Sequence, residues 1–265
     1  MTTVTPGVFS FDCVLRSDVG RVRKVNEDSA ISLTESGLWV VSDGMGGHRA
    51  GDFASQTIVG NLSSVGVAIS LEDLKARFMD RLSTANATIL NRAQELGEGT
   101  IGATLASLLI HAGTFAAVWS GDSRVYRMQN GVLTRLSRDH TEVQALLDSG
   151  RITEEEAENW PRKNVITRAI GVGDVPQCDV NEGALVDRDL FLICSDGLTE
   201  YFEDGELSGL LAGADSLETL GDHLIATANA RGGKDNVSVI LLRCHAQSPE
   251  FLRPVWAFPE FEGTL

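Results

Sequence analysis

Basic residues are scarce in this chain. Lys and Arg total 22 against 37 Asp and Glu, a formal net charge of −15 at pH 7 over 265 residues. A nucleic-acid binder needs basic surface to displace counterions, and docking to an anionic membrane needs it too, so neither partner is expected. Long apolar runs are also missing: Gly, Ser or charge breaks each one well short of a membrane span. Met1 to Ser10 lacks the basic start and apolar stretch of a secretory leader. Cysteine is sparse, with Cys13, Cys178, Cys194 and Cys244 scattered and without CxxC spacing. That argues against a disulfide framework or a zinc site and makes a reducing cytoplasm the expected compartment. Apolar residues make up 43% of the chain, enough for a full core in one large domain or two small ones.

Periodicity divides the chain into strands and helices. Phe9, Phe11, Cys13 and Leu15 alternate as in a strand. Leu38 to Val41 reads as a short strand entering a tight turn at Ser42-Asp43-Gly44. Gly51 to Ser63 suits a helix, and Leu71, Leu74, Phe78, Leu82, Ala85, Ile89 and Leu96 predict a long amphipathic one. Strands are predicted over Ala103 to His111, Phe115 to Ser120 and Arg124 to Gln129, with Asn130-Gly131 as a hairpin turn into Val132–Leu136. Thr141 to Ser149 looks helical, and Thr153 with Glu156 forms a capping box. Leu190 to Cys194 is an apolar strand, Leu217 to Ala230 a helix closing at Gly232-Gly233, and Val237 to Leu242 a last strand. Strand runs and helix runs are grouped, which favours α+β over a doubly wound parallel sheet. The domain is bounded at 8–244. The remainder, 245–265, is a tail holding three of the six prolines with Phe251, Trp256, Phe258 and Phe261. It is expected either to pack back on the domain or to dock a partner.

Four aspartates share one kind of place, a strand end beside Gly, Ser or Asn: Asp43, Asp122, Asp196 and Asp235. Asn26-Glu27-Asp28 adds two more acids. One Asp-Gly is commonly a plain turn, but four at strand ends point to a shared rim. Clustered carboxylates do not stay ionised together without cations. Oxygen ligands without Cys or His select Mg²⁺ or Mn²⁺ over zinc. Two such ions together can deprotonate a water for attack on a phosphate ester, and Arg21 or Arg23 could grip the phosphate oxygens.

These motifs resemble the metal-dependent protein serine/threonine phosphatases of PP2C type, in their bacterial form. The matching stretches run in order from Arg16-Ser-Asp-Val-Gly-Arg-Val-Arg-Lys-Val-Asn-Glu-Asp28 and Asp43-Gly-Met-Gly-Gly-His48 to Gly121-Asp-Ser-Arg-Val-Tyr126 and Leu133 through Asp139-His140. They continue with Asn164-Val-Ile-Thr-Arg-Ala-Ile-Gly171, Ser195-Asp-Gly-Leu-Thr199 and Gly232-Gly-Lys-Asp-Asn-Val237. The resemblance implies an αββα sandwich of two mostly antiparallel sheets with helices outside. It implies that Asp43 bridges two catalytic Mn²⁺ or Mg²⁺ ions through which a hydroxide attacks phosphorus directly. Gly44 would offer its carbonyl to the first ion, and Asp196 and Asp235 would complete the second. Glu27 and Asp28 would act through waters, and Asp122 with Asp196 would hold a weaker third ion. Arg23 takes the phosphate-binding position, Arg21 a structural or peripheral one, and Asn236 is expected to orient Asp235 or a water. Residues 141–170 correspond to a variable flap.

The chain departs from the family pattern in two places. Met45 stands where eukaryotic members often carry a leaving-group histidine, and His48 is nearby only in sequence, so the general acid is unassigned, a metal-bound water being one alternative. Gly102-Ala103-Thr104 carries one hydroxyl where bacterial members usually have two. A cysteine-phosphatase reading of Cys194 fails because Glu200 stands where that mechanism needs arginine. The resemblance implies phosphorylated proteins as partners, a cognate Ser/Thr kinase pathway and a monomer. The rivals are a pseudophosphatase or regulatory binding module on the same fold, and a two-metal hydrolase of small phosphate esters.

Overall fold

A computed structural model describes residues 9–46, 50–97, 100–162 and 165–247. The expectations for His48 and for the tail beyond Gln247 lie outside the described residues. Two antiparallel sheets stack face to face. One takes the order β1-β11-β10-β7-β8, from Phe9–Asp18 (β1), Val237–Ala246 (β11), Leu190–Cys194 (β10), Arg124–Gln129 (β7) and Val132–Arg135 (β8). The other runs β2-β3-β5-β6-β9, from Asp28–Leu33 (β2), Leu38–Met45 (β3), Leu105–His111 (β5), Thr114–Ser120 (β6) and Asp179–Ala184 (β9), with Gly102–Ala103 (β4) paired to the end of β3. Helices Gly51–Leu62 (α1) and Leu71–Leu96 (α2) cover the second sheet. Asp196–Thr199 (α5), Asp204–Ala212 (α6) and Leu217–Ala230 (α7) cover the first, while Glu142–Asp148 (α3) and Glu154–Glu158 (α4) lie in the predicted flap.

The central strands are apolar on both faces because each is buried on both. On β3, Leu38 and Val40 point to the α1–α2 layer, while Trp39 and Val41 point to the opposite sheet. On β10, Leu190, Leu192 and Cys194 face α5–α7, and Phe191 and Ile193 join Ile240 and Leu242 between the sheets. Side chains alternate across a strand, so a strand with helices on one side and a sheet on the other reads as an unbroken apolar run. Four layers follow: helices, sheet, sheet, helices, the α+β sandwich expected from the sequence.

Local signals agree with this frame. Asn130 and Gly131 both have positive φ, 50° and 79°, as a two-residue hairpin requires. Ser70 caps α2 by accepting from Asp73 N, and Gly97 ends it in the left-handed region. The Thr153–Glu156 capping box is complete. Leu96 is the exception on α2: it is exposed, at the last helical position before the Gly97 cap.

Two predicted elements differ in a way that bears on the site. No tight turn follows Val41; β3 continues through Ser42, Asp43 and Gly44 to Met45, since β2 and β4 pair with that stretch. The predicted strand from Ala103 to His111 is split at Thr104, where side-chain hydroxyls replace one backbone bond. The last strand also runs on to Ala246, four residues past its expected end at Leu242 and two past the domain boundary expected at 244. Among the described residues no helix is long and apolar enough to cross a membrane.

Candidate metal centre

Antiparallel pairing brings the candidate acids to one end of the sandwich. Asp28 opens β2 directly opposite Asp43 on β3. Asp122 lies in the crossover from β6 to β7, between the two sheets. Asp196 follows β10, whose last residue, Cys194, pairs with Arg124 at the start of β7. Asp235 precedes β11, whose first residue, Val237, pairs with Asp18. A cavity of about 500 Å³ opens at this rim, lined by Glu27, Asp43, Asp122, Asp196 and Asp235, with Arg23 the one cation among the described lining residues. Gly44 and Met45 complete its floor and Ile166 reaches it from the flap. Asp28 lies behind, buried, and does not line the cavity.

Two glycines permit this convergence. A Cβ on Gly44 would lie 2.0 Å from the Gly51 carbonyl oxygen, so only glycine lets α1 start against β3. A Cβ on Gly197 would lie 2.0 Å from the Asn236 carbonyl oxygen, so glycine alone lets the Asp196 helix touch the Asp235 loop. The Ser-Asp-Gly triplet at 42–44 lies within β3 and that at 195–197 opens α5, and in each the serine side chain makes a hydrogen bond. Ser42 Oγ donates to the Thr104 carbonyl at 2.7 Å, and Ser195 Oγ donates to Asp28 Oδ2 at 2.8 Å.

The acids strain against one another. Burial, then the neighbouring Asp28, Asp196, Asp122 and Asp235 carboxylates, push Asp43 well above the usual carboxylate range. Burial raises Asp28 to about 7 and Asp122 to about 8, with Asp196 adding repulsion at both. Asp196 is raised by burial and by Asp235, and Glu27 chiefly by burial. Asp28 Oδ1 and Asp196 Oδ1 are buried with no hydrogen-bond partner. A buried orphan oxygen is costly, and a ring of such oxygens without Cys or His suits hard divalent cations. Among the described residues no three acids, histidines or cysteines close on one point, so an ion held here would keep several waters, as Mg²⁺ prefers.

Arg23 meets the acids at the outer edge. Its Nη2 donates to Asp235 Oδ2 at 2.7 Å and its Nη1 lies 3.9 Å from Glu27 Oε2, with the side chain about half exposed. Asn236 contacts Asp235, one of its two expected partners, through its backbone. Its side chain is not free for a water: Oδ1 accepts from Glu27 N at 2.8 Å, and Nδ2 donates to the Val19 and Val25 carbonyls at 2.9 and 3.0 Å. Its backbone N–H does hold Asp235 Oδ1, at 2.9 Å. Arg21 is peripheral, its backbone N–H bonded to the Gly233 carbonyl.

Sequence reasoning assigned no role to Thr104, Ser123 or Ser195, although each lies in a stretch it singled out; their bonds reach residues distant in sequence, and the repeated Ser-Asp-Gly was the available signal for Ser195. His140 has a local role: Nδ1 accepts from Gly121 N at 3.2 Å and Nε2 meets Asp179 at 3.1 Å. Among the described residues no histidine lines the cavity, and Met45 does. Cys194 is fully buried, and burial pushes its thiol up to about 12, which disqualifies it as a nucleophile. In the segment expected to be a flap, Thr141 and Ile166 bridge its two ends and Ile170 bridges to Ala103. A second cavity of about 330 Å³ lies beneath it, between Gln144 and Leu147 on α3 and the pair Asp122 and Asp196.

Residues 21–241 match the protein phosphatase 2C family. The serine/threonine phosphatase stp of Listeria welshimeri is 35% identical over 235 residues, covering 86% of this chain and 93% of its own. PppA of Pseudomonas aeruginosa, described as a key regulatory component of T6SS, superposes with a TM-score of 0.81 at 37% identity, over 88% of this chain and 97% of PppA. The catalytic domain of the phosphatase PstP, solved with two manganese ions, superposes with a TM-score of 0.80 at 31% identity, over 90% of this chain and 100% of that domain. With its sandwich, its rim of acids and these matches over most of its length, the chain belongs to the protein phosphatase 2C family.

Proposed function

We propose that this protein hydrolyses phosphoserine and phosphothreonine esters in proteins, using two Mn²⁺ or Mg²⁺ ions in the acid-ringed cavity. The observation that carries the reading is the convergence of Asp43, Asp196 and Asp235 on that cavity, with a buried Asp196 oxygen left without a protein partner. Asp43 would be shared between the ions, with the Gly44 carbonyl on one side and Asp196 and Asp235 on the other. Glu27 and Asp28 would act through waters, and Asp122 with Asp196 would serve a weaker third ion. When bound, the ions supply Lewis acidity that activates water and offsets charge at phosphorus.

The chain's own residues supply the rest. Arg23 spends one donor on Asp235 and keeps others for phosphoryl oxygens, which a planar guanidinium grips in pairs. Ser195 and the Asn236 backbone hold Asp28 and Asp235 in orientation. This route needs no nucleophilic side chain, so no covalent phosphoenzyme is expected.

Residues 8–244 form the phosphatase domain in this reading, with 141–170 as a flap over the site and 245–265 as a tail. The protein acts as a monomer in the cytoplasm, opposite a Ser/Thr kinase. The four free cysteines support a reducing compartment, and PppA's described role makes regulation of a larger assembly a reasonable setting. The test is phosphate release from a phosphothreonine peptide with Mn²⁺, with and without chelator. Chelator-sensitive release is expected. Faster turnover of nucleotides than of phosphopeptide would favour the small-ester reading, and no release from either would favour a pseudophosphatase.

A further inference from the structure

The join between Asp43 and the Asp122 turn rests on one hydroxyl. Directly opposed residues in an antiparallel ladder exchange two backbone bonds or none, but Asp43 and Thr104 exchange one. Thr104 N–H donates to the Asp43 carbonyl at 2.8 Å. The return bond is diverted: Asp43 N–H donates to Thr104 Oγ1 at 3.0 Å, and the Thr104 carbonyl accepts from Ser42 Oγ at 2.7 Å. Thr104 Oγ1 also shares a buried hydrogen bond of 2.7 Å with Ser123 Oγ. On its other side the threonine packs on Gly121, where a Cβ would come within 2.8 Å of Thr104 Cβ and Cγ2. Gly121 and Ser123 flank Asp122 in the crossover between sheets, whereas Asp43 belongs to β3 in one of them.

Thr104 and Ser123 are both buried, and the Thr104 hydroxyl is engaged on two sides. It is therefore neither a spare ligand nor a nucleophile. It is the one side chain bonded both to the Asp43 backbone and to the residue after Asp122. We propose that Thr104 is the positioning residue that fixes the spacing of Asp43 and Asp122, through a hydroxyl shared by the Asp43 backbone and Ser123, and so sets the affinity of the acid ring for divalent cations. The inference rests on the metal-binding reading of the site.

Isosteric substitution separates this role from packing. Thr104→Val keeps the volume and removes the hydroxyl, leaving Asp43 N–H without its acceptor and Ser123 without its partner. Thr104→Ser keeps the hydroxyl and removes the methyl that touches Gly121. The experiment titrates Mn²⁺ into the metal-stripped full chain by calorimetry, with no turnover involved. Thr104→Val should weaken Mn²⁺ binding about tenfold, the size of one lost buried hydrogen bond. Ser123→Ala should weaken it in the same direction, and Thr104→Ser should bind as the natural protein does. Unchanged binding by Thr104→Val, or equal weakening by Thr104→Ser, overturns the proposal. If Thr104→Val does not fold, Ser123→Ala decides: binding equal to that of the natural protein overturns it. A natural protein that takes up no Mn²⁺ would sink the metal reading itself, an outcome distinct from variants that bind as well as it does.

Discussion

Asp28 and Asp43 stand directly opposite each other on neighbouring antiparallel strands. Like charges in that position oppose the pairing, and both are held above the usual carboxylate range: Asp28 by burial and then by Asp196 and Asp235, Asp43 by burial and then by Asp28 and the other acids. The fold tolerates them because Ser195 donates to Asp28 and because a proton or a cation can offset the remainder.

Asp43→Asn should therefore separate function from stability. Turnover of a phosphothreonine peptide should fall at least ~10³-fold, since transition-state stabilisation at the shared position is lost. The metal-free protein should melt a few degrees higher than the natural one, because a buried repulsion has been removed. Near-normal turnover with full metal content, or a lower metal-free Tm, would contradict the account.

Protons and cations compete for the same oxygens, so metal stabilisation should depend on pH. Asp28 and Asp122 have folded pKa values raised to about 7 and about 8. A raised carboxylate means that the folded state holds more protons than the unfolded one, so metal-free stability falls as pH rises from about 4 toward 8. Below that window the acids are neutral and bind cations poorly; above it they are charged and bind them well. The gain in Tm on adding Mn²⁺ should therefore grow from pH 5.5 to pH 8. Melting curves with chelator and with Mn²⁺ across that range measure it, and a gain independent of pH would count against these groups.

Arg23 is predicted to act in binding more than in bond cleavage. Arg23→Ala should raise KM for a phosphopeptide about tenfold with a smaller effect on kcat. Arg23→Lys should recover little, because an ammonium lacks the planar fork. A kcat loss at unchanged KM in initial-rate kinetics would move Arg23 out of the phosphate-binding role.

The sequence made some of this legible and hid the rest, for physical reasons. Asp43, Asp122, Asp196 and Asp235 could be picked out because each sits in a short local signature at the edge of an apolar run. Their convergence follows from strand pairing, which a single strand does not reveal. β2 escaped notice because Asp28 to Leu33 has little apolar alternation, and β9 because it is a largely exposed edge strand with polar residues. The extension of β3 through Asp43 was hidden by Ser-Asp-Gly, which reads locally as a turn. Thr104 and Asn236 act on backbone far away in sequence, so nothing beside them in the chain announces the role.

Asn236 shows how much a buried amide can hold. One side chain receives the Glu27 N–H and donates to two carbonyls, Val19 and Val25, and so pins the loop that carries Arg23 and Glu27. Asn236→Asp preserves the acceptor for Glu27 but replaces both donated bonds with a carboxylate facing two carbonyl oxygens. Leaving such groups unpaired costs about 1–3 kcal/mol, so urea unfolding should report a loss of about 2–4 kcal/mol. With its anchor gone the loop should place Arg23 poorly, and KM should rise as in Arg23→Ala. Asn236→Ala removes both donated bonds and the acceptor for Glu27 as well, but adds no buried charge, so it should raise KM at least as much with a smaller stability loss. A stability loss with KM unchanged in both variants would mean that the loop keeps its position without Asn236 and that Arg23 is placed by its pair with Asp235 alone.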